Sequence, residues 1–135
     1  MQRHIIIADD EAIITSIVRH KLGGAGMCVH TFDNGLMAWN YLKSHPIDLL
    51  ITDYQMPGLA GDELCLRIRA KPELKELPII MLTGKLHELS RDFLKMGCFQ
   101  ALVTKPFSPN ALLKQAELLL QASAETSAMV SAELH

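Results

Sequence analysis

Five polar residues suggest chemistry because of where the apolar runs before them stop. IIIA ends on Asp9-Asp10, LLIT on Asp53, PIIML on Thr83, and QALVT on Lys105-Pro106. Burying a carboxylate at the end of an apolar strand is expensive without a partner. Each residue taken singly has an ordinary reading. Asp10 could cap a helix, Asp53 could form the turn before Pro57-Gly58, Thr83-Gly84 could be a loop, and Lys105 a solvated turn lysine. Those readings weaken together if the four runs are strands of one parallel sheet, because all five groups then share one rim. Three carboxylates brought close raise one another's pKa, and a single lysine cannot balance them. A hard divalent cation with oxygen ligands can, and Mg²⁺ suits two or three carboxylates plus waters. The metal and Lys105 would leave an electropositive spot beside Asp53. A phosphoryl group in transfer is stabilised by such a cation, a lysine and a hydroxyl. Asp53 is the acid placed to act as carboxylate nucleophile, giving an aspartyl phosphate.

The elements that must position these groups can be read from periodicity. HIIIA (4–8) is a strand, and Ile13, Ile14, Ile17, Val18 and Leu22 follow on one helical face, halted by Gly23-Gly24. MCVHTF (27–32) is a strand of mixed polarity, suited to a sheet edge. Leu36, Trp39 and Leu42 mark a helix stopping before Pro46. DLLIT (48–52) precedes a helix after Gly61 carrying Leu64 and Ile68, and PIIML (78–82) precedes one carrying Leu86, Leu89 and Phe93. QALVT (100–104) leads to a last helix with Ser108 as N-cap and Pro109 in the first turn. Strands joined by helices run parallel with both faces covered. The expected fold is therefore α/β, a doubly wound sheet of five parallel strands with five helices. Ligands of such sheets bind outside the carboxyl ends of the strands. One domain is expected over residues 1–121, with 122–135 prolonging the last helix or fraying as a tail.

Composition narrows the function classes. Lys and Arg number 13 against 15 Asp and Glu, a formal charge of −2, which disfavours direct nucleic-acid binding by charge. Arg67, Arg69, Lys71 and Lys75 read as a solvated helix face. The apolar runs are too short to span a membrane, and MQRHIIIADD is no signal peptide. Cys28, Cys65 and Cys98 lack CxxC spacing and read as small hydrophobes in a reducing compartment, the cytoplasm. His4, His20, His30, His45, His87 and His135 show no ligand spacing.

With IIIADDE, LLITDYQMPGLAG, MLTG and VTKPF in this order and spacing, the chain resembles the receiver domain of two-component response regulators over about residues 3–121. The resemblance implies a flavodoxin-like fold with strand order 2-1-3-4-5. It implies that Asp53 accepts phosphate from a phosphohistidine on a sensor histidine kinase or a histidine phosphotransfer protein. It further implies Mg²⁺ bound by Asp10, Asp53 and the Gln55 backbone carbonyl, with Asp9 helping through water. Thr83 and Lys105 would hold phosphoryl oxygens, and Lys105-Pro106 would be cis. On this reading the chain is a signalling domain, not an enzyme, and catalyses only its own phosphorylation and dephosphorylation. Its phosphorylation would change the face of the fourth helix, fifth strand and fifth helix for a downstream protein effector; whether the chain dimerises is left open by the sequence, and the same face is where a homodimer would form.

The family has Tyr or Phe where this chain has Leu102. Either Leu102 is plain core, or the signal travels by a smaller repacking of that face. Gln55 and Lys85 lie two residues after Asp53 and Thr83, positions that tune phosphate lifetime in the family. Two other functions use related features. A Mg²⁺-dependent aspartyl-phosphate phosphatase of the haloacid dehalogenase type needs a second acid where Gln55 stands. A flavodoxin-like cofactor module needs a phosphate-cradling glycine loop where ADDEAI offers acids. Cognate kinase, stimulus and output are not encoded in these motifs.

Overall fold

The computed structural model describes residues 2–134, with side chains through residue 125. Strands β1 (His4–Ala8), β2 (Cys28–Phe32), β3 (Leu49–Asp53), β4 (Ile79–Thr83) and β5 (Ala101–Thr104) alternate with helices α1 (Ala12–Gly24), α2 (Gly35–Leu42), α3 (Gly61–Ala70), α4 (Arg91–Met96) and α5 (Pro109–Leu134). The strands form one five-stranded parallel sheet in the order β2-β1-β3-β4-β5. This is the doubly wound, flavodoxin-like arrangement expected from the sequence.

Strand parity divides the core. Ile6, Leu50, Ile79 and Met81 face α2, α3 and α4, where they meet Ala38, Leu42, Leu64, Ile68 and Phe93. Ile5, Ile7, Ile51, Ile80 and Leu82 face α1 and α5, meeting Val18, Leu22, Leu112 and Ala116. β3 and β4 are buried along their whole length, whereas β2 at one edge is half-buried. No helix among the described residues is long and apolar enough to cross a membrane.

Several local expectations change. In α1 only Val18 and Leu22 are buried, while Ile13 is 68% exposed. Ile14, Val18 and Leu22, four apart, make the inner stripe, and Ile13 and Ile17 form a second stripe turned about 100° away. α1 runs through Gly23-Gly24, and the chain reverses at Gly26, where φ is +92°. The fourth helix is split. Leu86–Glu88 form a 3-10 turn with Leu86 exposed, and α4 starts afresh after Ser90, whose side chain accepts the Phe93 N–H at 3.1 Å. The Ser90 cap outcompetes a continuous helix. At α5, Ser108 does accept the Ala111 N–H, at 3.3 Å. α5 continues past residue 121 to Leu134, and His135 lies outside the described residues.

Arg69 is not merely part of a solvated face. It donates to the Cys98 carbonyl at 2.9 Å, to the Lys75 and Leu77 carbonyls at 2.9 and 2.8 Å, and to Gln100 Oε1 at 3.1 Å. Gln100 Oε1 in turn accepts the Ile79 N–H at 2.7 Å. A planar fork with five donors suits this junction of α3 with the entries to β4 and β5, and an ammonium does not. Arg69→Ala is expected to lower stability by about 2–3 kcal/mol in urea denaturation, with Arg69→Lys recovering less than half.

Candidate functional site

The sheet register gathers the polar strand ends. β1 and β3 pair Ala8 with Thr52, so Asp9 and Asp53 emerge side by side. β3 pairs Asp53 with Leu82, which sets Thr83 one step beyond, and β4 pairs Thr83 with Thr104, after which Lys105 leaves the sheet. The Lys105 N–H donates to the Thr83 carbonyl at 2.8 Å. Two strands lie between β1 and β5, a gap of roughly 14 Å at about 4.8 Å per strand. The Lys105 side chain crosses it. Its ammonium lies 2.7 Å from Asp9 Oδ2, 3.3 Å from Asp53 Oδ1 and 2.6 Å from Glu11 Oε2. Lys105-Pro106 is cis.

Asp10, Glu11, Asp53, Gln55, Thr83 and Lys105 line a cleft of about 550 Å³ at this rim. Gly61 packs directly on the Asp53 backbone: the Gly61 N–H donates to the Tyr54 carbonyl at 2.8 Å, and a β-carbon there would overlap the Asp53 carbonyl. The Thr83 hydroxyl is engaged locally, donating to the Lys85 carbonyl and accepting the Lys85 N–H, both at 3.2 Å. Lys85 itself reaches into solvent and pairs with Glu88 at 3.5 Å. Leu102 is half-buried against the core that holds Phe93 and Phe99.

Burial governs the electrostatics. Desolvation, helped by the neighbouring Asp9 charge, lifts the Asp53 pKa to about 6 although Lys105 pulls the other way. Asp9, wholly buried, is also raised, by desolvation first, against its hydrogen bond to Lys105 and the Glu11 N–H at 2.9 Å. Burial alone would lower the Lys105 pKa, but hydrogen bonds to Asp9 and Glu11 overcome it and raise it. The single ammonium therefore leaves the carboxylates under-compensated.

Asp9 Oδ2 is buried, and its partner among the described residues is the Lys105 ammonium, 2.7 Å away and shared with Asp53 and Glu11. Asp9, Asp10 and Asp53 each offer a carboxylate oxygen, and the three oxygens lie within 4.8 Å of one another. An all-oxygen donor set of this charge fits a hard divalent cation.

The structure thus brings Asp10, Asp53, Gln55, Thr83 and Lys105 to one cleft, with Asp9 buried beside it against the Lys105 ammonium. Asp10 is not the cap of α1; Glu11 holds that position without a side-chain cap bond, and its carboxylate turns to Lys105 instead. Glu11 is the site residue that the strand-end reading missed. Its signal was its place directly after two acids, within reach of a long side chain from across the sheet.

A parallel sheet with an acidic cluster, a threonine and a cross-site lysine at its carboxyl rim defines a receiver-type module. Residues 5–117 match the model of the response regulator receiver domain, and the chain belongs to that family. It is the phosphoacceptor switch module of two-component signalling. The chain is 36% identical over 117 residues to the phosphate regulon transcriptional regulatory protein PhoB of Rhizobium meliloti, covering 87% of this chain and 52% of that protein. It is 30% identical over 118 residues to the chemotaxis protein CheY-3 of Vibrio cholerae, covering 87% and 91% respectively. Among solved structures, the chemotaxis response regulator CheY4 of Vibrio cholerae superposes with a TM-score of 0.80 at 28% identity, covering 88% of this chain and 99% of that one. The chain spans about half the length of several curated relatives it matches, PhoB among them. The family match does not favour the small-substrate phosphatase reading.

Proposed function

We propose that Asp53 is the phosphoacceptor and that its donor is a phosphohistidine on a sensor histidine kinase or histidine phosphotransfer protein. The observation that carries this is the Lys105 ammonium, 3.3 Å from Asp53 in a cleft shared with Thr83 and Asp10, with the buried Asp9 2.7 Å from the same ammonium. An Asp53 oxygen forms the O–P bond while the P–N bond of the donor breaks and its electron pair returns to the imidazole nitrogen. Lys105 and the Thr83 hydroxyl, released from Lys85, donate to the equatorial phosphoryl oxygens. Mg²⁺, held by Asp10, Asp53 and the Gln55 carbonyl with Asp9 acting through water, would supply the remaining positive charge. Drawing Thr83 and Lys105 inward alters the ends of β4 and β5. The change passes through Leu102 to the face of α4, β5 and α5, where a protein effector or a second copy docks. The working domain is residues 1–121, and the setting is the cytoplasm, where free cysteines stay reduced.

The test is incubation with acetyl phosphate and Mg²⁺, followed by intact mass and peptide mapping. One phosphoryl group on the peptide containing Asp53 is the expected result. A gain on another residue, or none, would overturn the assignment.

Gln55 and Lys85 flank the path of a water attacking the phosphoryl group, and their long side chains shield it. Lys85→Ala is expected to shorten the lifetime of the aspartyl phosphate several-fold, read from the decay of the phosphoprotein mass. An unchanged decay removes Lys85 from this role.

A further inference from the structure

The opposite end of β1 carries a second set of ligand atoms. β1 and β2 pair His4 with Cys28 and Ile6 with His30, so His4, Cys28 and His30 share one face of the sheet. All three are half-buried, and each can offer a nitrogen or sulfur within 4.8 Å of the others. In sequence the two histidines stand 26 residues apart, so no local spacing reveals them.

We propose that His4, Cys28 and His30 form a Zn²⁺ site with water in the fourth position. The distances carry the argument. A tetrahedral zinc with Zn–N of about 2.05 Å and Zn–S of about 2.3 Å holds its ligands with N···N near 3.3 Å and N···S near 3.6 Å. His30 Nε2 lies 3.2 Å from His4 Nδ1 and 3.6 Å from Cys28 Sγ. One nitrogen therefore stands at ligand spacing from both other donors. The surroundings set its lone pair. Tyr41 Oη is 3.3 Å from His30 Nδ1 and can accept a hydrogen bond from Nδ1–H, the tautomer in which Nε2 presents its lone pair to the cluster. A metal-bound histidine is oriented through its second nitrogen in this way. Tyr41 is itself stacked on His45, ring centroids 3.8 Å apart and planes 1° apart, and tilted over His30. Two imidazoles and a thiolate select a borderline-soft ion such as Zn²⁺ over Mg²⁺, so this site and the all-oxygen cleft would load different metals.

Co²⁺ is the probe, since Co²⁺ bound to a thiolate absorbs strongly in the near ultraviolet. Titrated into the full chain in excess Mg²⁺, which fills the carboxylate cleft, Co²⁺ is expected to give a thiolate-to-metal band saturating at one equivalent and abolished by Zn²⁺. Cys28→Ser removes the band, and Tyr41→Phe weakens binding roughly 10-fold. In the unchanged chain, Zn²⁺ slows alkylation of Cys28, a readout that does not depend on whether a variant folds. No band, a band that survives in Cys28→Ser, or alkylation indifferent to Zn²⁺ would each overturn the proposal.

Discussion

Asp53→Asn is expected to take up no phosphoryl group from acetyl phosphate and, without divalent cations, to be more stable than the parent at pH 7.5. The first effect follows from chemistry, because an amide cannot replace the carboxylate as nucleophile. The second follows from burial. Asp53 titrates near pH 6 when folded, against 3.8 in the unfolded chain. The native state thus binds more protons than the unfolded state between those values. Stability attributable to this group accordingly falls as pH rises from about 4 to about 6 and stays low above that. A shift of this size corresponds to roughly 2–3 kcal/mol. Asn carries no charge to desolvate, so its urea midpoint lacks that decline. The raised pKa of Asp9 acts in the same direction, and because the two acids are coupled they titrate as a pair. Mg²⁺ is expected to raise the parent midpoint at pH 7.5 more than that of the variant. Parallel pH profiles for the two proteins would refute the electrostatic account without touching the phosphoacceptor assignment.

Lys105→Ala has a comparable reach in the other direction. Among the described residues its ammonium is the cation within 4 Å of Asp9 and Asp53, so removing it strands one fully buried and one nearly buried acid. Breaking a buried pair on one side costs about 3–5 kcal/mol, partly relieved as the carboxyls become protonated. Loss of one preorganised donor also lowers phosphoryl uptake by at least about 100-fold. Uptake kinetics in Mg²⁺ and urea curves at pH 5 and pH 7.5 separate the two losses. The stability penalty shrinks at pH 5, where Asp53 is largely protonated and needs less counter-charge; equal uptake by parent and variant would remove Lys105 from the chemistry.

Strand ends were the most legible part of the sequence. Asp9, Asp10, Asp53, Thr83 and Lys105 could be placed on one rim because parallel strands announce themselves as apolar runs, and a run has only one carboxyl end. Contacts set by side-chain reach across several strands were hidden. The Glu11–Lys105 pair spans strands that are not neighbours. The Arg69 fork depends on where two loops converge on α3. The outward turn of Ile13 and Ile17 is ambiguous because five apolar positions in one helix admit two overlapping stripes. The break before α4 turned on Ser90, whose capping competes with a helical period that Leu86, Leu89 and Phe93 also satisfy.

β1 joins the two ends of this molecule with five residues, His4–Ala8, and that brevity restricts how the chain can change. Side chains alternate along a strand, so deleting or inserting one residue within it inverts the face presented on one side of the change. Whichever end kept its alignment, the other would turn its donor atoms away from their companions on β2 or β3. Such a lineage can exchange amino acids here within what the core admits, but its length at this point is locked.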